Sequence, residues 1–292
     1  MKKLFYFSAM ALAVSLFIYS CEKEDIKVED QKLHQKDDSI NAKSSNTSNS
    51  HDYAGEIHNI VLAEIGESNG YNNSSIQAKS RMLIRIVERE LKKRNIPINY
   101  DDSNSNPTFV KSKSMKDFTQ ILEVLLQQIS DSDFDPIALY LDYTSQFKEV
   151  LLSQRAVISP DFDSYANQII NVMSSNKFDT KGKLLDEYNR ISDEIMSNTN
   201  IRGVQEEFLL GSVSVAYHST DYWISDDDWI DLDDIVQPAC GWCQKLKVIG
   251  ADIGGFAAGF WGTIGANEIW DAGWNPFPAA IAGSGAASDA AR

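Results

Sequence analysis

The stretch Ser114–Ser130, SMKDFTQILEVLLQQIS, decides the fold class. Phe118, Ile121, Leu122, Leu125, Leu126 and Ile129 recur at steps of three and four residues, which lays one apolar stripe along a helix. Ser114 with Asp117 three residues later forms a capping box, whose side-chain oxygens satisfy first-turn amides. A half-buried strand would alternate with period two, and this stretch does not.

Working outward, the same period returns. SIQAKSRMLIRIVERELKKRN places Ile76, Leu83, Ile86, Val87 and Leu91 in helical phase. DPIALYLDYTSQFKEVLLS opens with Asp135 as N-cap and Pro136 in the first turn, where a missing N–H costs nothing. SPDFDSYANQIINVM repeats that device with Ser159 and Pro160. KLLDEYNRISDEIM sets Leu184, Tyr188, Ile191 and Ile195 on one face, and RGVQEEFLLGSVSVAY predicts a further helix, with a strand as the alternative for its Val-Ser-Val end. The reading is all-α: a helical bundle over residues 52–217, preceded by a disordered tether and followed by a small-residue-rich C-terminal helix. Residues 218–237 read as a solvated acidic and aromatic connector with Trp223 and Trp229 packed on the bundle. Its cluster of Asp226, Asp227, Asp228, Asp231, Asp233 and Asp234 lacks the alternate spacing, turn glycine and terminal glutamate of a calcium loop.

In segment 238–292, Gly250, Gly254, Ala258, Gly262 and Ala266 fall at strict four-residue intervals. Four residues turn a helix by about 400°, so the row stays near one face and admits a close neighbour. Gly255 and Gly259 widen that groove. Each glycine costs a helix roughly 1 kcal/mol against alanine, so close packing must return the energy. Ile249, Ile253, Phe256 and Phe260 lean the other way, and after Asn275 the chain reads as small and flexible. Val248–Ala266 is nineteen residues with one charge, Asp252, and Trp242, Trp270 and Trp274 flank it. The pattern resembles the glycine-zipper helices of two-peptide bacteriocins, which implies a membrane-active or self-associating tail as the alternative to a buried packing helix.

The first twenty residues, MKKLFYFSAMALAVSLFIYS, have the charged start, short apolar core and small final residue of a secretory signal. Ending as IYSC, they resemble bacterial lipoprotein signals, although Ile18 and Tyr19 depart from the usual leucine and small residue. The resemblance implies acylation of Cys21, a membrane partner through that lipid, and a lipidated tether over residues 21–51. Lys23, Glu24 and Asp25 resemble the tract that directs some lipoproteins to the outer face of the outer membrane. The formal charge is −15, and loss of Lys2 and Lys3 with the signal takes it to about −17. Such a chain is repelled by phosphate backbones, which argues against a nucleic-acid partner.

Signatures of chemistry are sparse. The sequence has no H-E-x-x-H, no G-x-S-x-G, no phosphate loop and no dinucleotide fingerprint. No catalytic residue, metal site or cofactor is expected. Of four histidines, His34 and His51 belong to the tether, leaving His58 and His218 in ordered segments. His58 is expected to be packed or hydrogen-bonded, since Glu56 and Glu64 lack ligand-pair spacing. The surrounding GEIHN, followed by a helical body and a small-residue tail, resembles a group of uncharacterised secreted or lipid-anchored bacterial proteins and implies no activity. Cys240 and Cys243 form an even pair in an oxidising compartment, expected as a structural disulfide that pins a helix start. CGWCQK also resembles the thioredoxin-like Cys-Gly-x-Cys-Lys with Gln244 inserted, which leaves thiol–disulfide exchange as a lesser alternative, but no βαβ pattern precedes it.

Overall fold

The computed structural model describes residues 49–68, 70–98, 113–130, 134–174, 180–224, 241–265 and 275–291. Among them are nine helices and no strand. In chain order these are α1 (Tyr53–Glu67), α2 (Ile76–Lys93), α3 (Lys113–Ile129), α4 (Pro136–Ser153), α5 (Phe162–Ser174), α6 (Lys181–Ser197), α7 (Val204–Trp223), α8 (Gly241–Gly265) and α9 (Phe277–Ala291). The all-α reading holds. The signal segment, residues 21–48 of the tether including Cys21, the acidic run 226–234, Cys240 and Ala266 lie outside the described residues, as do the side chains of Trp242 and Cys243.

The stripe on α3 buries as its spacing requires. Phe118, Leu122, Leu125 and Ile129 are buried, Ile121 and Leu126 pack partly against them, and Val124 faces solvent. The helix opens at Lys113, so Ser114 lies in its first turn. Asp135 caps α4 as expected, its Oδ1 accepting the Ile137 N–H at 2.9 Å ahead of Pro136. By contrast α5 starts at Phe162, two residues beyond Pro160; Ser159 instead donates its N–H to Gln205 Oε1 at 2.9 Å. Two helices end on left-handed residues other than glycine. At α4, Arg155 (φ 62°) and Ala156 donate to Leu152 and Leu151 carbonyls, and at α2 Asn95 (φ 56°) and Ile96 donate to Lys92 and Leu91. Both are Schellman closures, which satisfy the last carbonyls of a helix.

The C-terminal segment is where the structure departs most from expectation. Val-Ser-Val of 213–215 is helical, and α7 runs to Trp223, six residues past the expected boundary at 217. The sequence after Asn275 is not a flexible end: α9 is buried from Phe277 to Ser288. Segment 238–292 is therefore part of the bundle, in which α8 packs against α3, α4, α5, α7 and α9. From Val248 to Phe260 every residue of α8 is buried, the pattern of a helix surrounded on all sides. Phe147, Phe162, Phe208 and Phe260 meet around it, with Phe147 and Phe208 stacked at 4.6 Å and Phe260 edge-on to both. Among the described residues, no helix is long and apolar enough to cross a membrane.

Candidate functional site

The two small-residue rows of α8 have different neighbours. A Cβ added at Gly250 would meet Pro136, one at Gly254 would meet Leu139, and one at Gly262 would meet Ile121. The four-residue row that includes the buried Ala258 thus receives side chains from α3 and α4. The close backbone approach is made by the other row. A Cβ at Gly255 would stand 2.5 Å from the Gly283 carbonyl, and one at Gly259 only 2.2 Å from the Ala279 carbonyl. Gly283 faces Gly255 in return, so α8 and α9 are held as a pair by the glycines expected only to widen the groove.

That pairing brings Asp252 and Ser284 together with His58, deep in the bundle. All three are fully buried. His58 Nδ1 is 2.7 Å from Ser284 Oγ, and Nε2 stands 3.3 Å from Asp252 Oδ2. The second contact is an ion-pair distance without the direction of a hydrogen bond, and Asp252 Oδ1 has no hydrogen-bond partner. Ser219 donates to Asp252 Oδ2, as does Trp223 Nε1 at 3.3 Å. A second histidine–aspartate pair lies nearby: His218 Nε2 and Asp52 Oδ1 are 2.9 Å apart. Ser214 Oγ donates to the Asp52 carbonyl at 2.9 Å and accepts the Gly55 N–H at 2.9 Å.

Local sequence explains this assembly. Gly55 is required because a Cβ there would lie 2.3 Å from the Ser214 carbonyl and 2.5 Å from the His218 ring. The next residues of GEIHN divide their work: Ile57 enters the core, His58 reaches α8 and α9, and Asn59 donates to the His218 carbonyl at 3.0 Å. The chain leading into α1 is tied down as well. Asn49 donates to the Leu210 carbonyl at 3.0 Å, and His51 stacks on Phe277 at 5.1 Å. Burial pushes the His51 imidazole down to about 4. His51 thus belongs with the folded body, not the tether where the sequence placed it.

Serine, histidine and aspartate within contact is the set used for nucleophilic acyl transfer. Here the three side chains have no exposure, so no substrate carbonyl reaches Ser284 Oγ in this conformation. What the arrangement does is join three separate stretches of chain through polar contacts in a dry interior. Glu56 and Glu64 do not take part: Glu56 faces Arg94 and Glu64 is engaged by Arg89, in a surface network centred on Glu90. Lys93 and Arg89 hold the Glu90 carboxyl below the usual range although burial acts in the opposite direction. Among the described residues no group of three or more histidine, cysteine or acidic side chains could hold a metal ion.

Sequence reasoning found His58 and singled out Asp252 as the one charge of an apolar run. It missed Ser284 and Ser219, which carry no local mark in runs of small or apolar residues. Comparison with protein-family models, with curated proteins and with solved structures finds no match to this chain.

Proposed function

We propose that this chain is a non-enzymatic lipoprotein of the cell envelope, anchored through acylated Cys21 and displayed on the outer face of the outer membrane. The observation that supports the absence of chemistry is the sealed His58–Asp252–Ser284 cluster, whose side chains are of catalytic types but fully buried. The signal-like segment 1–20, the polar stretch after it and the acidic net charge support the anchor and the tether. On this reading the helical body serves recognition, and the C-terminal pair α8–α9 is its packing element. A diacyl or triacyl anchor supplies the two or more chains that stable attachment needs. Protease shaving of intact cells tests anchor and display together: the body is released from wild-type cells, whereas Cys21→Ala leaves no cell-bound body to shave. A body protected in intact cells and degraded only after lysis would refute surface display.

One observation favours a second reading. The tightest backbone approach in α8 is to α9, within the segment itself, so the two helices form a small-residue hairpin of the kind that self-associates in membranes. Dye release from vesicles on adding residues 238–292 at micromolar concentration would support such a bacteriocin-like tail, and intact vesicles would dismiss it. Thiol exchange through Cys240 and Cys243 is the least supported reading, and a reduction potential below about −300 mV would mark a structural bond.

A further inference from the structure

We propose that the tip where α4 ends and the chain turns toward α5 is the part of the body that rests on the bilayer. Leu152 and Val157 enter the headgroup region there, and Arg155 between them meets the lipid phosphates. This deepens the anchored reading above and rests on it. The place of the tip in the fold, its exposure and its backbone all point to the same contact.

Place comes first. Asn49, the first described residue, donates to the Leu210 carbonyl, and His51 stacks on Phe277, the first residue of α9. Gln205, five residues before Leu210 on α7, accepts the Ser159 N–H and donates to the Val157 carbonyl, both at 2.9 Å. Five residues advance a helix by about 7.5 Å. The entry of the chain into the body and the α4–α5 tip are therefore fixed to the same end of α7. The other end of α7 lies elsewhere, with Trp223 bonded to Asp252 in the first half of α8. Since α8 and α9 run antiparallel, Gly259 meeting Ala279 and Gly255 meeting Gly283, Phe277 sits beside the opposite half of α8. Residues 21–48 join Cys21 to the end that carries the tip. A coil of that length spans about 30 Å, which keeps an anchored body near the surface at an effective concentration on the order of millimolar. Weak contacts are then enough to orient it.

Exposure marks the tip itself. Leu152 is 57 % exposed and Val157 87 %, the highest value for a large apolar side chain among the described residues. The core contacts of this segment are made by their neighbours: Leu151 is buried, and Ala156 and Ile158 pack partly against it. Apolar side chains held in water add nothing to folding, but they gain free energy at the acyl boundary of a bilayer. The net charge of −15 opposes broad electrostatic docking on anionic lipid, so a small contact led by apolar residues is the kind this chain can make.

The backbone adds a third observation. Arg155 stands at φ 62°, a conformation that costs an arginine more than a glycine. Strain of this kind persists where the side chain is used. Its guanidinium has no ion-pair partner among the described residues. Of the acids that follow it, Asp161 is bonded by Asn198 and Asn200, and Asp163 is paired with Lys148. Guanidinium binds phosphate through two parallel hydrogen bonds, and phosphate is the group every phospholipid presents at the depth where two inserted neighbours would place Arg155.

The test uses residues 21–292, which contain the whole described body, with a hexahistidine tag at the start in place of a lipid. The chain is held on vesicles of phosphatidylethanolamine and phosphatidylglycerol that also contain a nickel-chelating lipid and a phospholipid with a photoactivated diazirine near its glycerol. After illumination, mass spectrometry should find cross-links concentrated on residues 149–158, with little on α6 or the end of α9. Leu152→Ser combined with Val157→Ser should cut that labelling about tenfold or more, and Arg155→Gln about fivefold. All three side chains are exposed, so the variants should melt with the parent; should one melt earlier, the parent's own labelling pattern decides. Labelling spread evenly over the body, centred on α6 or the end of α9, or unchanged in the double variant overturns the proposal. So does a dimer in sedimentation that the double variant dissolves, because a second copy would then cover the tip. The tag supplies the attachment, so a negative result counts against the docking and not against acylation of Cys21, which the mass of the protein's N-terminal peptide from its native cells reads separately.

Discussion

Gly254 and Gly259 lie little more than one turn apart on α8, yet an added methyl should cost them differently. At Gly254 it would meet the tip of Leu139, a side chain able to rotate, whereas at Gly259 it would meet the Ala279 backbone. Gly254→Ala should therefore fall at or below the low end of the 1–3 kcal/mol typical of overpacking and Gly259→Ala at or above its high end. Urea melts of both variants would rank them, and the reverse order would contradict the assigned pairing of α8 with α9. His51 makes a second prediction at this scale. Its imidazole is held down to about 4 by burial, below its value near 6.5 in the unfolded chain. The unfolded state thus binds more protons between those values, and stability should fall as pH drops from about 6.5 to 4. His51→Gln should show a shallower loss in thermal melts over that interval. Individual residues were legible in proportion to their contrast with their neighbours. Asp252 stood out in an apolar run, while Ser284 sits in AGSGAAS, where nothing distinguishes a partner of histidine from filler.

Among the elements, legibility followed exposure. α3 and α4 keep a wet face, so the difference between their two sides wrote itself into the sequence as a stripe and a cap. α9 has almost no wet face, and a helix buried on every side loses the periodic contrast from which a helix is read. The same reasoning explains why α8 could be recognised as packed but its two glycine rows could not be assigned, since both look alike without their neighbours. Two element-level predictions follow from packing and closure. Phe260→Ala removes a fully buried ring that contacts Phe147, Phe208, Phe256 and Phe277. Such a change costs about 3–5 kcal/mol, or roughly 6–20 °C of melting temperature in a body of this size. An unchanged melt would mean α8 is not central. Arg155 closes α4 in a left-handed conformation that L-residues disfavour by about 1–2 kcal/mol. Arg155→Gly should therefore raise stability by about 0.5–1 kcal/mol, after the extra freedom of glycine in the unfolded chain is set against the relief. A loss instead would show that the arginine side chain contributes more than its backbone costs.

For the whole molecule, the decisive arrangement is that a segment set apart by its composition forms the middle of the bundle. Ending the chain at residue 274 removes α9 and should abolish cooperative unfolding of everything that remains, as followed by circular dichroism. A truncated chain that melts like the parent would return the segment to the status of an independent tail. Domain organisation was the least legible level, because a shift to alanine and glycine looks like a boundary when it marks the places where backbones touch. Two contacts between distant parts of the chain have a consequence in time. His58 meets Ser284 across 226 positions of sequence, and Asp52 meets His218 across 166. Topologies rich in such distant contacts fold slowly, since large loops must close before any contact rewards them. During synthesis α1 is made well before α7 and α9, so a growing chain holds its first helix without these two partners until the later helices are made. Until α8 and α9 are made, the middle of the bundle lacks the helices that fill it.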